Sequence, residues 1–315
     1  MSRLRLPALV ALALSVTLTL PALGQAASAK HPHKSKHKHG HKHGHKPKKA
    51  NQQQLYVSLG DSYAVGYQPT APHVGSSTTN GYANQLLPLA KRKGYAFKLV
   101  NFGCGGATTT SILQKPGCDP QSRAVNGPPY TATQADAAAA YIKAHRKQVG
   151  LITVSIGGND VTACAAQADP IPCVGAAITS IKTNVSDLAQ RLRAAAGPKV
   201  PIVGTTYPDV ILGDWVLGNQ QLAQLSVVAF EQLINPALKE SYASANGGFV
   251  DVTAATGAYT PLDQMTTTPD WGTVPVAVAK VCDLTYFCQF QDIHAKTAGY
   301  GVIAQLIADT LPRKR

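Results

Sequence analysis

The chain has 315 residues, of which 44% are hydrophobic and 14% charged, and its formal net charge is +13. This length fits one large α/β domain or two small ones, and the hydrophobic content excludes wholesale disorder. The excess positive charge lies at the two ends of the chain, because residues 51–312 carry 16 cations against 16 acids. We therefore expect no nucleic-acid partner, since binding of phosphates needs clustered positive charge on the folded part.

Residues 1–29 have the three-part layout of a cleavable secretory signal peptide. Two arginines precede an apolar run over residues 6–20, and a small-residue cleavage site ends at Ala29. The apolar run is shorter than the roughly 20 residues that a membrane-spanning helix needs. The sequence therefore predicts export, cleavage after Ala29 and a secreted protein.

Residues 30–53 form a low-complexity tail that is rich in histidine and lysine. This composition cannot bury a core and predicts disorder. Three roles remain open for residues 30–49: a solvated spacer, weak binding of Zn²⁺, Cu²⁺ or Ni²⁺, or adhesion to an anionic envelope. The last would strengthen as histidines protonate below a pKa of about 6.5. We predict no cofactor and no ordered metal site, because no fixed ligand geometry is visible.

The six cysteines fall into three close couples along the chain. None of the couples has the spacing of a zinc ribbon or of a redox motif, and sequence alone cannot choose among the possible pairings. Together with an export signal, three local disulfides are the simplest interpretation. They would join Cys104 to Cys118, Cys164 to Cys173 and Cys282 to Cys288.

Predicted strands and helices alternate through residues 54–312, the predicted domain. The predicted strands cover residues 55–59, 97–101, 151–156, 200–206 and 249–252. The predicted helices cover residues 82–93, 133–147, 176–196, 221–245 (with a bend near Pro236) and 296–310. Because the strands are apolar without alternation, they favour a parallel sheet with helices on both faces. Reactive groups in such a sheet collect at the carboxyl ends of the strands.

Four candidate functional residues lie at such strand ends or directly before the last helix: Ser62, Gly106, Asn159 and His294. A serine hydroxyl becomes a useful nucleophile when a base such as histidine takes its proton. The oxyanion formed during ester cleavage needs fixed donors, which two main-chain N–H groups and the amide of Asn159 can supply. Each segment alone is equally typical of a turn or helix cap. Their joint order indicates a hydrolase site.

These four segments resemble the motif blocks of the SGNH or GDSL hydrolases. The sequences around Ser62 (LGDSYA) and His294 (IHA), together with the local cysteine couples, resemble those of the secreted actinobacterial esterase and lipase branch. The resemblance implies a flavodoxin-like three-layer α/β/α fold with about five parallel strands, and metal-free hydrolysis of carboxylic esters. It assigns Ser62 as nucleophile and oxyanion donor, Gly106 and Asn159 as oxyanion donors, and His294 as general base.

The sequence departs from the family pattern before the histidine. The family usually has an aspartate three residues earlier, where this chain has Gln291, and Asp292 follows one residue later. Two partners for His294 therefore remain open: the Asp292 carboxylate, or a main-chain carbonyl near Gln291. We favour the carbonyl, because this arrangement resembles that of some members of this branch. It predicts that Asp292→Asn has a mild effect on activity.

The sequence thus predicts a secreted, monomeric serine esterase or lipase that hydrolyses ester or lipid substrates through a Ser-His acyl-enzyme. The alternatives are a carbohydrate deacetylase or phospholipase on the same fold, or a non-catalytic envelope-binding or metal-binding protein acting through the tail. An aromatic group in the last third either lines an acyl pocket or packs in the core. It consists of Trp215, Tyr259, Trp271, Tyr286 and Phe287.

Overall fold

The computed structural model describes residues 53–314. The predicted signal peptide and, apart from residue 53, the predicted tail lie outside the described residues and stay predictions. The strands are β1 (Gln54–Gly60), β2 (Tyr67–Ala71), β3 (Val74–Ser77), β4 (Phe97–Asn101), β5 (Val149–Ser155), β6 (Ile202–Thr205), β7 (Gly248–Val250), β8 (Met265–Thr268) and β9 (Gly272–Pro275). The α-helices are α1 (Ser62–Val65), α2 (Tyr82–Arg92), α3 (Thr109–Gln114), α4 (Gln134–Ala144), α5 (Gly158–Thr162), α6 (Pro170–Ala196), α7 (Gln220–Ala229), α8 (Asn235–Ala243), α9 (Val252–Ala255), α10 (Val276–Leu284), α11 (Phe287–Phe290) and α12 (Thr297–Thr310).

Five of these strands form the central sheet of the described part of the chain. Their spatial order is β4-β1-β5-β6-β7, and every neighbouring pair is parallel. The strand order is that of the flavodoxin-like doubly wound fold, in which strands are added first on one side of the first strand and then on its other side. The predicted fold class is confirmed.

The sheet is buried on both faces, which explains why its strands lack a polar alternation. Along β1, Leu55, Val57 and Leu59 pack into a core cluster shared with α4, α6 and α8. Tyr56 points to the opposite face, into a second cluster shared with α2 and α12. These clusters form the two interfaces of a three-layer α/β/α structure.

The long helix predicted over residues 221–245 is continuous but irregular. Helix α7 runs into a π-helical turn over Phe230–Ile234, and α8 follows directly. The irregularity therefore precedes Pro236 rather than lying at it. Proline lacks an N–H donor for the helical ladder, and the wider turn before it accommodates this loss. The antiparallel hairpins β2–β3 and β8–β9 were not predicted.

Three disulfides in the described residues join the cysteines in the predicted local pairs. One closes the loop after β4, which contains Gly106. The second ties the 3₁₀ turn after α5 to the first turn of α6 through Cys164 and Cys173, and the third joins α10 to α11, just before His294. All three therefore restrain segments that lead to predicted site residues. Between residues 53 and 314 no helix combines the length and apolarity needed to cross a membrane.

Candidate active site

A sharp turn after β1 places Ser62 at the first residue of α1. Gly60 has a φ of +133°, and a Cβ there would clash with the main-chain oxygen of Ser155. Only glycine fits this turn. The buried Gln134 side chain holds the main chain of Gly60 by accepting from its N–H (2.7 Å) and donating to its carbonyl (3.0 Å). Ser62 itself is 6% exposed.

Asp61, beside the candidate nucleophile, is a buried carboxyl with two hydrogen-bond donors. It accepts from the N–H of Tyr63 at 2.9 Å and from the hydroxyl of Tyr207 at 2.6 Å. Burial raises the pKa of Asp61 to about 7, although both hydrogen bonds act in the opposite direction. Asp61 thus caps α1 and ties the Ser62 turn to the segment after β6.

This buried carboxyl predicts a measurable pH dependence of stability. The folded pKa of Asp61 lies above its ordinary value of 3.8, so the folded state keeps a proton that the unfolded chain releases. Stability contributed by Asp61 therefore falls as pH rises from about 4 to about 7. Relative to Asp61→Asn, the wild-type free energy of unfolding should fall by up to about 4 kcal/mol across this window. Urea unfolding at both ends of the window measures it.

The exposed Asp119 offers a matched control. Asp119→Asn should follow the wild-type pH dependence throughout the window. If Asp61→Asn also does so, Asp61 does not retain its proton in the folded protein.

Three candidate oxyanion donors lie on the segments after β1, β4 and β5. The main-chain N–H groups of Ser62 and Gly106 have no hydrogen-bond acceptor among residues 53–314. Gly106 has a φ of +77°, and apart from Gly106 and its two chain neighbours no described residue has an atom within 4 Å of the position of a Cβ there. The amide of Asn159 donates one hydrogen to the carbonyl of Ala107 at 2.8 Å, which leaves its second hydrogen for a ligand.

A second carboxylate links the segments that carry Gly106 and Asn159. Asp160 accepts from the N–H of Thr109 at 2.9 Å and from its hydroxyl at 2.6 Å. With the bond between Asn159 and Ala107, this contact holds the two segments together at the sheet edge. Fixed donors stabilise a developing negative charge without reorganising during the reaction.

His294 lies on a loop that Tyr63 ties to the nucleophile segment. The hydroxyl of Tyr63 donates to the carbonyl of Ile293 at 2.6 Å. On the other side, the N–H of Tyr286 donates to the carbonyl of His294 at 2.9 Å. The ring of Tyr67 lies 4.3 Å from the imidazole, centroid to centroid. Tyr63, which follows Ser62, and Ile293, which precedes His294, are thus joined by a hydrogen bond.

The partner of the His294 imidazole is the Asp292 carboxylate, so the main-chain carbonyl favoured from sequence is wrong. Nδ1 of His294 lies 2.6 Å from Oδ1 of Asp292, and the same oxygen accepts from the His294 N–H at 2.9 Å. Gln291 ends α11 with a left-handed φ of +53°, directly before Asp292. This reversal brings a carboxylate only two residues away back to the imidazole.

The charge state of Asp292 suits this contact. Burial acts to raise its pKa, but the hydrogen bond and the charge of His294 outweigh burial, and the pKa lies below its ordinary value. The carboxylate therefore stays ionised well into the acid range. An ionised partner selects the imidazole tautomer that carries a proton on Nδ1 and leaves Nε2 free to accept one.

Ser62, Asn159 and Ile293 line one small pocket, together with Tyr207. Gly106 and His294 do not line it themselves, but they adjoin it through the contacts of Ala107 and Tyr63 described above. From sequence, the segment of Asp61 was typical of a helix cap, which the structure bears out, but the supporting residues Tyr63, Gln134 and Tyr207 were missed. A carboxyl directly before the candidate nucleophile was the one visible signal for them.

The aromatic group of the last third packs instead of lining this pocket. Trp215, Tyr259 and Trp271 pack against a third core cluster that includes α10. The ring of Phe287 occupies the space beside Gly213, and the rings of Tyr286 and Phe290 stack on each other. No cluster of three or more potential metal-ligating His, Cys, Asp or Glu side chains occurs within the described range 53–314.

Several solved structures share similarity with the chain at low sequence identity. An extracellular lipase from Streptomyces rimosus is 18% identical, with a TM-score of 0.44, and covers 80% of this chain and 99% of its own. A lipase from a goat rumen metagenome is 14% identical, with a TM-score of 0.48, and the match covers 81% of this chain and 96% of the lipase. An acetyl xylan esterase from Geobacillus stearothermophilus is 15% identical, with a TM-score of 0.46, and the match covers 83% of this chain and 96% of the esterase.

Comparison with curated protein sequences yields no match. The family comparison is decisive, because residues 58–302 match the GDSL-like Lipase/Acylhydrolase family. This range includes Ser62, Gly106, Asn159 and His294 and extends from the end of β1 through the other four strands of the central sheet. The chain therefore belongs to the GDSL-like lipase/acylhydrolase family and is a carboxylic ester hydrolase of the esterase and lipase type.

Proposed function

We propose that the protein is a secreted serine esterase or lipase that cleaves carboxylic esters through an acyl-enzyme on Ser62. The observation that carries this proposal is the contact between Asp292 and His294, on a loop that Tyr63 ties to the Ser62 segment. Nucleophile, base and orienting carboxylate are the three parts that serine-based acyl transfer requires.

In the first half of the reaction, Nε2 of His294 takes the proton of the Ser62 hydroxyl while Oγ attacks the ester carbonyl carbon. The resulting oxyanion accepts hydrogen bonds from the N–H groups of Ser62 and Gly106 and from the Asn159 amide. When the intermediate collapses, the bond to the alcohol oxygen breaks. His294 gives its proton to that oxygen, the alcohol leaves, and Ser62 carries the acyl group.

In the second half, His294 takes a proton from water while the water oxygen attacks the acyl carbon. Collapse of this second intermediate breaks the bond to Oγ, returns the proton to Ser62 and releases the carboxylic acid. The ionised Asp292 stabilises the imidazolium that forms in both halves, because it keeps its negative charge beside Nδ1.

Stoichiometric trapping tests this assignment. Diethyl p-nitrophenyl phosphate should transfer its diethylphosphoryl group to Oγ of Ser62 and release one p-nitrophenolate per chain, with loss of esterase activity. Peptide mass spectrometry locates the adduct. A label on any residue other than Ser62, or inactivation without an adduct, would contradict a Ser62 acyl-enzyme.

The proposal includes export by the predicted signal peptide and membership of the secreted actinobacterial branch. The three disulfides support export, because such bonds persist in oxidising compartments. If the signal peptide is cleaved after Ala29, N-terminal sequencing of the exported protein should find Lys30 as its first residue. Membership of an enzyme family argues against a purely non-catalytic role for the chain, while the role of the tail stays a prediction.

A further inference from the structure

A second, larger groove adjoins the small pocket that contains Ser62. It has a volume of about 240 Å³ and lies between the first turns of α6 and the wall made by α7 and the π-helical turn. Val161, Thr162 and Phe230 line both the groove and the Ser62 pocket. The two spaces therefore adjoin at the end of α5, the helix that contains Asn159.

The groove offers a ligand almost no unpaired polar group. None of the described residues that line it is charged. Its two hydroxyls are already used, since Thr162 donates to the carbonyl of Gly158 at 3.0 Å and Ser226 donates to Asp209 at 2.8 Å. A sugar or a charged headgroup would lose its hydrogen bonds to water here without replacing them.

The rim of the groove is apolar as well. Within residues 53–314, half of the exposed large hydrophobic side chains belong to it: Ile171, Leu225, Val228 and Leu233. Because these four line one groove, they form a contiguous patch rather than the scattered single residues of an ordinary surface.

We propose that this groove binds the acyl chain of the ester and that the enzyme prefers fatty acyl esters over acetates. The inference rests on the proposed function. The acyl carbon would lie at Ser62, the chain would pass Val161 and Phe230, and its far end would contact the rim. The alcohol would lie on the side of His294, which must protonate it.

A chain-length series of p-nitrophenyl esters, from acetate to palmitate, tests the proposal. Each methylene buried in the groove should raise kcat/KM about fourfold, so octanoate should exceed acetate by more than 100-fold. Ala229→Trp, which fills the groove, should lower the octanoate-to-acetate ratio at least tenfold. Leu225→Gln, which keeps a good helix former at an exposed position, should lower it about three- to tenfold.

Leu217→Gln is the matched control, because Leu217 is 44% exposed against 41% for Leu225 and lies outside the groove. The octanoate-to-acetate ratio of kcat/KM for Leu217→Gln should stay within twofold of the wild-type ratio. Thermal unfolding of each variant separates a lost groove from a lost fold, and Leu225→Gln keeps the test valid if Ala229→Trp does not fold.

Three results would overturn the proposal, and they can be told apart. An unchanged ratio in both groove variants, with Ser62-dependent acetate turnover intact, refutes the groove and leaves the proposed function standing. A wild-type dimer in sedimentation that Leu225→Gln dissociates, with a flat chain-length profile, makes the groove an interface between copies. Turnover that does not depend on Ser62 refutes the proposed function, and the groove assignment falls with it.

Discussion

Ser62→Ala is expected to lower kcat for p-nitrophenyl ester hydrolysis by about a million-fold. The reason is that alanine leaves His294 without a nucleophile to activate, so covalent catalysis is lost as a whole. The oxyanion donors remain, because the N–H groups and the Asn159 amide do not depend on the hydroxyl. We therefore expect slow residual turnover above the rate in water. Stopped assays at high enzyme concentration measure it.

The exposed Ser244, directly after α8, provides the control, since its hydroxyl donates to the carbonyl of Ser241, away from the candidate site. Ser244→Ala should retain kcat within twofold. Ser62→Ala should also fail to react with diethyl p-nitrophenyl phosphate. If it keeps more than about one part in a hundred of the wild-type kcat, Ser62 is not the nucleophile.

Asp292→Asn should lower kcat by about ten-thousand-fold, with little change in KM. A neutral amide neither stabilises the imidazolium nor selects the tautomer with its proton on Nδ1. The loss should approach that of His294→Ala, which removes the base altogether. Steady-state kinetics of the two variants on one ester, with both folded by circular dichroism, give the comparison.

Asp283, an exposed acid on α10, is the matched control for this change. Asp283→Asn should leave kcat within twofold of wild type. A loss of less than about tenfold for Asp292→Asn would restore the main-chain carbonyl as the orienting group. That result would also mean that the 2.6 Å contact at Nδ1 is not used in the reaction.

The sequence could predict the layered fold because burial on both faces leaves a clear trace in the strands. The β1 residues Leu55 to Leu59 show no polar alternation, and glycine-rich segments follow the strands. Parallel strands bring their carboxyl ends to one edge, so Ser62 and Asn159 could be expected to meet there. Short exposed hairpins such as β2–β3 carry too few buried residues for a comparable pattern.

The Asp292 contact and the apolar groove could not be predicted in this way. Asp292 lies two residues before His294, one fewer than the family pattern, so spacing alone argued against it as the partner of the imidazole. The left-handed φ of Gln291 turns the chain so that the Asp292 carboxylate reaches Nδ1 of His294. Similarly, composition left open whether the aromatic residues near Trp271 line a pocket, whereas the groove that adjoins the Ser62 pocket is lined mainly by aliphatic side chains, with Phe230 as its one aromatic ring among the described residues. Backbone dihedrals and side-chain packing decide both features.

Local sequence pattern was enough to predict the fold class, which is confirmed, and to select four candidate site residues at strand ends, because hydrophobic burial and strand ends leave a local signal. How these residues are supported, and what lies beside them, depends on the tertiary structure. The Tyr63–Ile293 bond joins positions 230 apart in the chain, and the groove combines α6 with α7. Contacts between segments so distant in sequence depend on packing geometry, which no local pattern encodes.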